Sequence, residues 1–282
     1  MVENRPWLTF FSHAILWAGI IVVALPMWIA FAASTHSPED LLATPVPVWL
    51  GDQFIENYSH ILFNSTGEAV SVSVGLMMLN SLVMALGIAI GKIAISLTAA
   101  YAIVFFQFRM RMLCFWLIFI TLMLPVEVRI MPTFQVVADL EMLNSYTGLI
   151  LPLIASATAT FLFRQFFMTI PHELVEAARI DGAGPMKFFR DILLPLSRTN
   201  IAALFVIMFI YGWNQYLWPL LITTEDSYYT MVMSIQRMLA VGDDEVAWNV
   251  VMPTTVLAML PPVLVVVLMQ RLFVKGLVET EK

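Results

Sequence analysis

Charge is what this sequence has least of. Asp, Glu, Lys and Arg together make up 12% of its 282 residues, about half the ~25% usual in soluble domains. Fourteen basic and 20 acidic side chains cannot cover the surface of a water-soluble chain of this length. That excludes a soluble nucleotide-binding or barrel enzyme, and a disordered tail as well. A formal net charge of −6 excludes a nucleic-acid binder, which needs a basic excess. Cysteine is nearly absent. Cys114 stands alone, so it forms no intrachain disulfide, and cysteine usage says nothing about redox compartment.

Catalytic constellations are missing too. His172-Glu173 begins like a zinc-protease motif, but Glu176 holds the place of the second histidine, so no metal-ligating pair forms. Gly91-Lys92 resembles the end of a phosphate loop, yet no Ser or Thr follows and no glycine stands five residues earlier. The four histidines are scattered, and no Gly-x-Ser-x-Gly elbow occurs. The sequence therefore predicts no enzyme, and any nucleotide chemistry belongs to another chain.

What is present is apolar length. Hydrophobic residues reach 60%. Six segments, 12–33, 76–106, 113–136, 147–168, 200–222 and 248–272, each offer the roughly 20 apolar residues that cross ~30 Å of hydrocarbon. Runs such as 14–31 and 256–269 are apolar on every side, which suits helices and not the alternating strands of a barrel. The expectation is an all-α polytopic membrane protein with six transmembrane helices, a single transmembrane domain over 1–282. Ala30-Phe31-Ala32 has the form of a signal-cleavage site. The run before it, however, exceeds the roughly 7–15 residues of a signal peptide, and Glu3 offsets Arg5. The first segment is expected to stay as a span.

Basic residues orient the spans. Apart from Lys92 and Arg129 inside spans, and Arg237 outside, the remaining 11 of the 14 fall on one side. The opposite loops, 34–75, 137–146 and 223–247, hold five, two and five of the 20 acidic residues. An excess of Lys and Arg marks the cytoplasmic side, so both termini are expected there. Asn57-Tyr58-Ser59 and Asn64-Ser65-Thr66 match the glycosylation pattern. That pattern is too short to carry functional weight.

The cytoplasmic loop at 169–199 is long, charged and helix-competent. Pro171 suits a first helical turn, and Glu176-Ala177-Ala178-Arg179 continues with strong helix formers. Gly182-Ala183-Gly184 breaks that helix, and Pro185 opens a second, with Phe188, Phe189 and Ile192 as its apolar stripe and Pro195 as its stop. On physical grounds this is either a docking knob or an interfacial hairpin without a partner.

The run Glu176-Ala177-Ala178-x-x-Asp181-Gly182-Ala183, followed by Phe189, Ile192, Leu194 and Pro195, resembles the EAA loop of ABC importer permeases. It also stands in the expected penultimate cytoplasmic loop. Residues 4–9, 119–130, 156–169 and 210–221 are similar to the permeases of sn-glycerol-3-phosphate importers, while the outer loops 36–72 and 225–246 diverge most. The resemblance implies the type I ABC importer permease (MetI-like) fold in a bacterial cell inner membrane. It implies a second homologous permease, an ATP-binding subunit dimer, a periplasmic solute-binding protein and surrounding lipid as partners. It implies no cofactor in this chain, ATP and Mg being held by the partner ATPase. The loop residues would seat in the ATPase, with Glu176 in polar contact and Gly182 as the bend. The cargo implied is sn-glycerol-3-phosphate or a glycerophosphodiester. A sugar or oligosaccharide importer permease, or a stand-alone secondary transporter, remains an alternative. Gly276-Leu277 fits the family's tail, but the Glu-Thr-Glu-Lys end does not.

Three charges stand at membrane depth, where each costs ~2.5–3.5 kcal/mol on insertion scales. Lys92 lies near the middle of the second segment, and Glu127 and Arg129 lie between Pro125 and Pro132 in the third. They line the route and attract a phosphate-bearing anion, or they form structural ion pairs between helices. Tyr211, Asn214, Gln215 and Trp218 recur at i, i+3, i+4 and i+7. On one helix that spacing makes a polar-aromatic face, expected to line the pathway or hydrogen-bond across helices, with Trp213 beside it. Gly87 with Gly91, and Ala155 with Ala159, have the small-x-x-x-small spacing that lets helices approach.

Overall fold

The structure, a computed structural model, describes residues 6–42, 47–66, 70–124, 126–240 and 246–278. Among the described residues every regular element is helical. In chain order these are α1 (Pro6–Ala33), α2 (Pro38–Leu42), α3 (Phe54–Phe63), α4 (Val74–Phe105), α5 (Arg111–Met123), α6 (Val126–Asp139) and α7 (Tyr146–Ile150). A 3-10 turn (Leu151–Leu153) leads to α8 (Ala157–Met168), α9 (His172–Ile180) and α10 (Pro185–Phe188). After a π-helical turn (Phe189–Leu193) come α11 (Leu194–Leu196), α12 (Arg198–Trp213), α13 (Leu217–Ile222), α14 (Met231–Leu239) and α15 (Trp248–Val278).

Among the described residues the six apolar segments are helical, but only α1, α4 and α15 are single helices long and apolar enough to cross a membrane. The other three are divided, and in the third and fifth proline chemistry explains where. The third segment parts between α5 and α6 at Leu124, whose extended backbone (φ −61°, ψ 132°) is what a residue preceding proline adopts. The fourth bends by 49° between Tyr146–Leu153 and α8. There Ser156 caps the new helix by accepting the Ala159 N–H at 3.2 Å. In the fifth, the ring of Pro219 would meet the carbonyl of Gln215 if the helix ran on, so α12 stops at Trp213 and α13 starts afresh. The expected one-face stripe of Tyr211, Asn214, Gln215 and Trp218 is therefore corrected, because those residues do not share one helix.

By contact the chain divides into two units, Met1–Met77 with Ser234–Leu260, and Met78–Met233 with Pro261–Lys282. In the first, α1 is exposed along nearly its whole length, Trp7, Ile15 and Val23 among its bare side chains. Its end is fixed by side-chain bonds to backbone. Asn57 on α3 donates to Ser34 O at 3.0 Å and His36 O at 2.9 Å, and Trp28 Nε1 donates to Val48 O at 2.8 Å. The Asn57 amide is thus consumed internally, which accounts for its presence without any glycan. Tyr58, partly buried beside Ser34, has its phenol pushed up by desolvation.

The second unit has a core of Met84, Ile88, Ile130, Val137, Leu149, Leu153, Trp218 and Ile222. Gly87 and Gly91 let α4 close on this layer. A Cβ at either position would meet the Ile150 or Ile154 side chain at 2.6 Å, so this pair does the work that its spacing suggested. Two amides clamp chain segments far apart in sequence. Asn80 donates to Ser227 O and Tyr229 O, both at 2.9 Å, and accepts the Tyr146 hydroxyl at 2.7 Å. Asn144 Oδ1 accepts the N–H groups of Thr224 (2.7 Å) and Glu225 (3.1 Å). Buried backbone carbonyls and amides need such partners wherever helices end.

Candidate functional site

The loop at 169–199 forms a helical hairpin whose bend follows from three small residues. Helix α9 ends in a Schellman motif. Ala183 N–H reaches back to Ala178 O at 2.8 Å, and Gly182 N–H to Arg179 O at 3.0 Å. The motif requires a left-handed residue after the cap, and Gly182 supplies it with φ +71°. Ala178 is buried at 4% exposure. Glu176, Ala177, Asp181 and Gly182 are exposed, and Ala183 is half-buried.

The second arm departs from expectation at Pro195. The sequence reading made it a stop, whereas the helix continues through α11. Proline at that point would clash with the carbonyl four residues earlier in a regular helix. The backbone widens instead into the π turn at Phe189–Leu193, whose end donates Leu194 N–H to Phe189 O. Only after Ser197 does the chain turn, by 72°, into α12. Exposed Arg190 and Asp191 pair at 2.7 Å. This hydrogen bond holds the Asp191 carboxyl below its ordinary range. At this exposure the pair contributes little to stability.

Aromatic residues that the sequence reading missed hold the hairpin. Tyr101 at the end of α4 donates its hydroxyl to Pro185 O at 2.8 Å, and its ring centroid lies 5.0 Å from that of Phe189. Phe105 sits 5.4 Å from Phe188 and 6.0 Å from Phe167 of α8. Phe188 and Leu193 are buried, and Phe189 and Ile192 are half-buried. A cleft of about 390 Å³ remains between this cluster and Arg179. The Tyr101/Phe105 spacing of i, i+4 was the available signal, hidden among other apolar residues. On the other side of the bend two large apolar side chains stand in the open, Ile180 at 86% and Met186 at 76% exposure. An arm anchored on one face and apolar on the other, with a bend of defined geometry, can pass a push from a bound partner to α4 and α12.

The second constellation lies inside the membrane segments. Lys92 on α4 is 6% exposed. Its Nζ sits 3.6 Å from the ring centroid of Tyr211 on α12. Arg129 on α6 is half-buried. Among the described residues no carboxylate lies within 4.0 Å of either cation. Glu127 has its side chain outside the described residues. A desolvated cation–π contact is worth ~2 kcal/mol, less than the ~2.5–3.5 kcal/mol that a lysine costs at the bilayer centre. The structure thus brings Lys92 and Tyr211 together. The other pathway candidates have partners of their own. Trp213 is buried and stacks on Phe209 at 6.0 Å. Gln215 bonds Tyr211 O at 3.0 Å, and Asn214 is an exposed helix cap. Trp218 is 1% exposed and donates to Gly148 O at 3.1 Å.

Comparison with known proteins places this geometry. The family described as "Binding-protein-dependent transport system inner membrane component" matches residues 92–279. The chain is 58% identical, over 282 residues and the whole of both chains, to the sn-glycerol-3-phosphate transport system permease protein UgpE of Brucella melitensis biotype 1. It is equally similar, with the same coverage, to the protein of that name in Agrobacterium fabrum. The corresponding Escherichia coli O1:K1 / APEC protein is 57% identical, again over the whole of both chains. Among solved structures, a bacterial ABC transporter involved in the import of the acidic polysaccharide alginate aligns with a TM-score of 0.81. That alignment has 17% identity and covers 96% of this chain and 98% of the other. At that identity the likeness is one of fold.

Proposed function

As this chain belongs to the family of binding-protein-dependent transport system inner membrane components, we propose that it serves as a transmembrane permease subunit of an ATP-binding-cassette importer for sn-glycerol-3-phosphate or glycerophosphodiesters. The observation that carries the reading is the hairpin. Its Schellman bend at Gly182, its anchorage on Tyr101 and Phe105, and its bare Ile180 and Met186 suit a part that another protein grips. Full-length identity of 57–58% to glycerol-3-phosphate permeases supports the cargo.

In this reading a second, homologous permease completes the route, and a solute-binding protein delivers cargo on the side opposite the termini. The asymmetry of basic residues supports placing both termini, and the 169–199 hairpin, in the cytoplasm. Two ATP-binding subunits hold ATP and Mg and seat the hairpins. Closure of the ATPase dimer on ATP pushes Glu176–Pro195, and the push passes through Phe188 and Phe189 to α4 and through the 72° turn to α12. Hydrolysis reverses it. The chain itself supplies shape and contacts, and the free energy comes from the partner.

Co-expression with the candidate partner subunits and purification through a tag on this chain tests the proposal. The expected result is co-purification of a second permease and the ATPase, whose hydrolysis rises when sn-glycerol-3-phosphate-loaded receptor is added. A chain that purifies alone, without ATPase, would contradict it.

A further inference from the structure

We propose that the cleft between the end of α4 and the hairpin binds an anionic phospholipid, which sets its phosphate on Arg179 and its glycerol and upper chains against an aromatic wall. The cleft lies on the side of the chain that carries the basic excess. The inference needs that sidedness and the membrane setting, and it does not need the cargo.

Three observations lead there. The first is depth. At 1.5 Å per residue the 32 residues of α4 reach about 48 Å. That exceeds the ~40–45 Å of a bilayer with its headgroups, so the last turns of α4 stand at headgroup level. The Tyr101 ring lies there, 5.5 Å from Phe105 and 5.2 Å from Phe106, as aromatic rings gather at membrane interfaces. The second is the lining. The wall of this cleft of about 390 Å³ combines those three rings and Phe188 with one cation, Arg179, and one amide, Gln107. None of the described residues lining it is acidic. An apolar wall with one guanidinium complements an amphiphile that carries a phosphate. The planar fork takes two phosphate oxygens, and basic pockets at the cytoplasmic ends of membrane helices take anionic headgroups. A zwitterionic lipid adds an ammonium, which Arg179 repels. Phe106 both lines the cleft and is exposed, so the apolar wall runs on to the surface. The third is the face of α9 that is used. Val175, Ala178 and Arg179 line the cleft at i, i+3 and i+4. Glu173, Glu176 and Ile180, at i, i+3 and i+7, fall on a different face. The surface assigned above to the ATPase therefore stays free, and both ligands can be held at once. A lipid so held ties α9 to the end of α4.

Photolabelling of the full-length chain tests this. The purified protein, in nanodiscs of phosphatidylcholine, receives a trace of phosphatidylglycerol with a diazirine at the top of one chain. After irradiation and digestion the adducts are mapped by mass spectrometry. They are expected on the 101–107 and 175–188 segments. Unlabelled phosphatidylglycerol competes them away, whereas added phosphatidylcholine and soluble sn-glycerol-3-phosphate do not. Arg179→Gln lowers the yield about fivefold or more, and Arg179→Lys, which keeps the charge, retains most of it. Val175→Trp fills the cleft without changing charge and lowers the yield as well. Adducts spread over α1 and α15 with no preference for the cleft, or a yield in Arg179→Gln within about twofold of the parent, would overturn the site. Displacement by soluble sn-glycerol-3-phosphate would overturn the lipid in favour of a free phosphate ester. Failure of the importer reading is separate, because the readout needs neither an ATPase nor transport.

Discussion

Gly182→Pro is expected to abolish uptake while leaving the protein in the membrane. The native φ of +71° lies on the opposite side of the Ramachandran map from the −65° that a proline ring imposes. The substitution also deletes the N–H that reaches Arg179 O at 3.0 Å. Backbone strain of ~1–3 kcal/mol and a lost hydrogen bond of ~1 kcal/mol together correspond to about 30-fold to nearly 1,000-fold in a coupled equilibrium. That penalty falls on the geometry of the bend. Helix α9 would no longer present Ile180 at its present angle to the arm that carries Met186. No span contains residue 182, so insertion and yield are expected to match the parent. Gly182→Ala, which needs only a left-handed alanine, should lie between the two. Uptake and receptor-stimulated ATP hydrolysis in proteoliposomes measure the effect. Normal uptake by the proline variant would show that the bend transmits nothing.

Trp218→Ala is expected to have the largest effect on stability. The indole is 1% exposed in the layer of Met84, Ile88, Leu149 and Ile222. Removing a buried Trp or Phe ring costs ~3–5 kcal/mol, and orphaning Gly148 O, which accepts from Nε1 at 3.1 Å, adds ~1–3 kcal/mol. At ~2–4 °C per kcal/mol for a chain of this size, the Tm in detergent should fall by about 10 °C or more. Trp218→Phe, which fills most of the space but donates nothing, should lose only the hydrogen-bond part. A drop of less than about 2 °C for the alanine variant would mean that the indole is not structural. This expectation separates Trp218 from Tyr211, which shares its sequence stripe but faces a cation.

Composition alone made the membrane environment and the helical class legible, because ~20-residue apolar lengths have few other uses. The hairpin was legible for a different reason. Glu176 to Ala183 packs its requirements into eight consecutive residues, a small buried alanine, a left-handed glycine and a capping amide, and local rules need no tertiary context. What escaped reading depended on carbonyls and partners remote in sequence. Pro195 looked like a terminator until the π turn absorbed it, and Pro219 broke a stripe that periodicity had made continuous. Asn80 and Asn144 bind backbone far along the chain, and nothing local marks them. Lys92 was visible as a charge at depth, but its seat over the Tyr211 ring was not.

The central claim, that the hairpin is the part through which a partner's ATP cycle moves this permease, can be measured at Ile180, whose side chain stands 86% exposed. In a Cys114→Ser background, Ile180→Cys gives a single thiol at the tip of α9. In the complete transporter the account predicts that the thiol is shielded from maleimide, cross-links to the ATP-binding subunit, and does so with a yield that changes between nucleotide-free and ATP-bound states. Equal labelling in the isolated chain and the full assembly, with no cross-link in either nucleotide state, would contradict it.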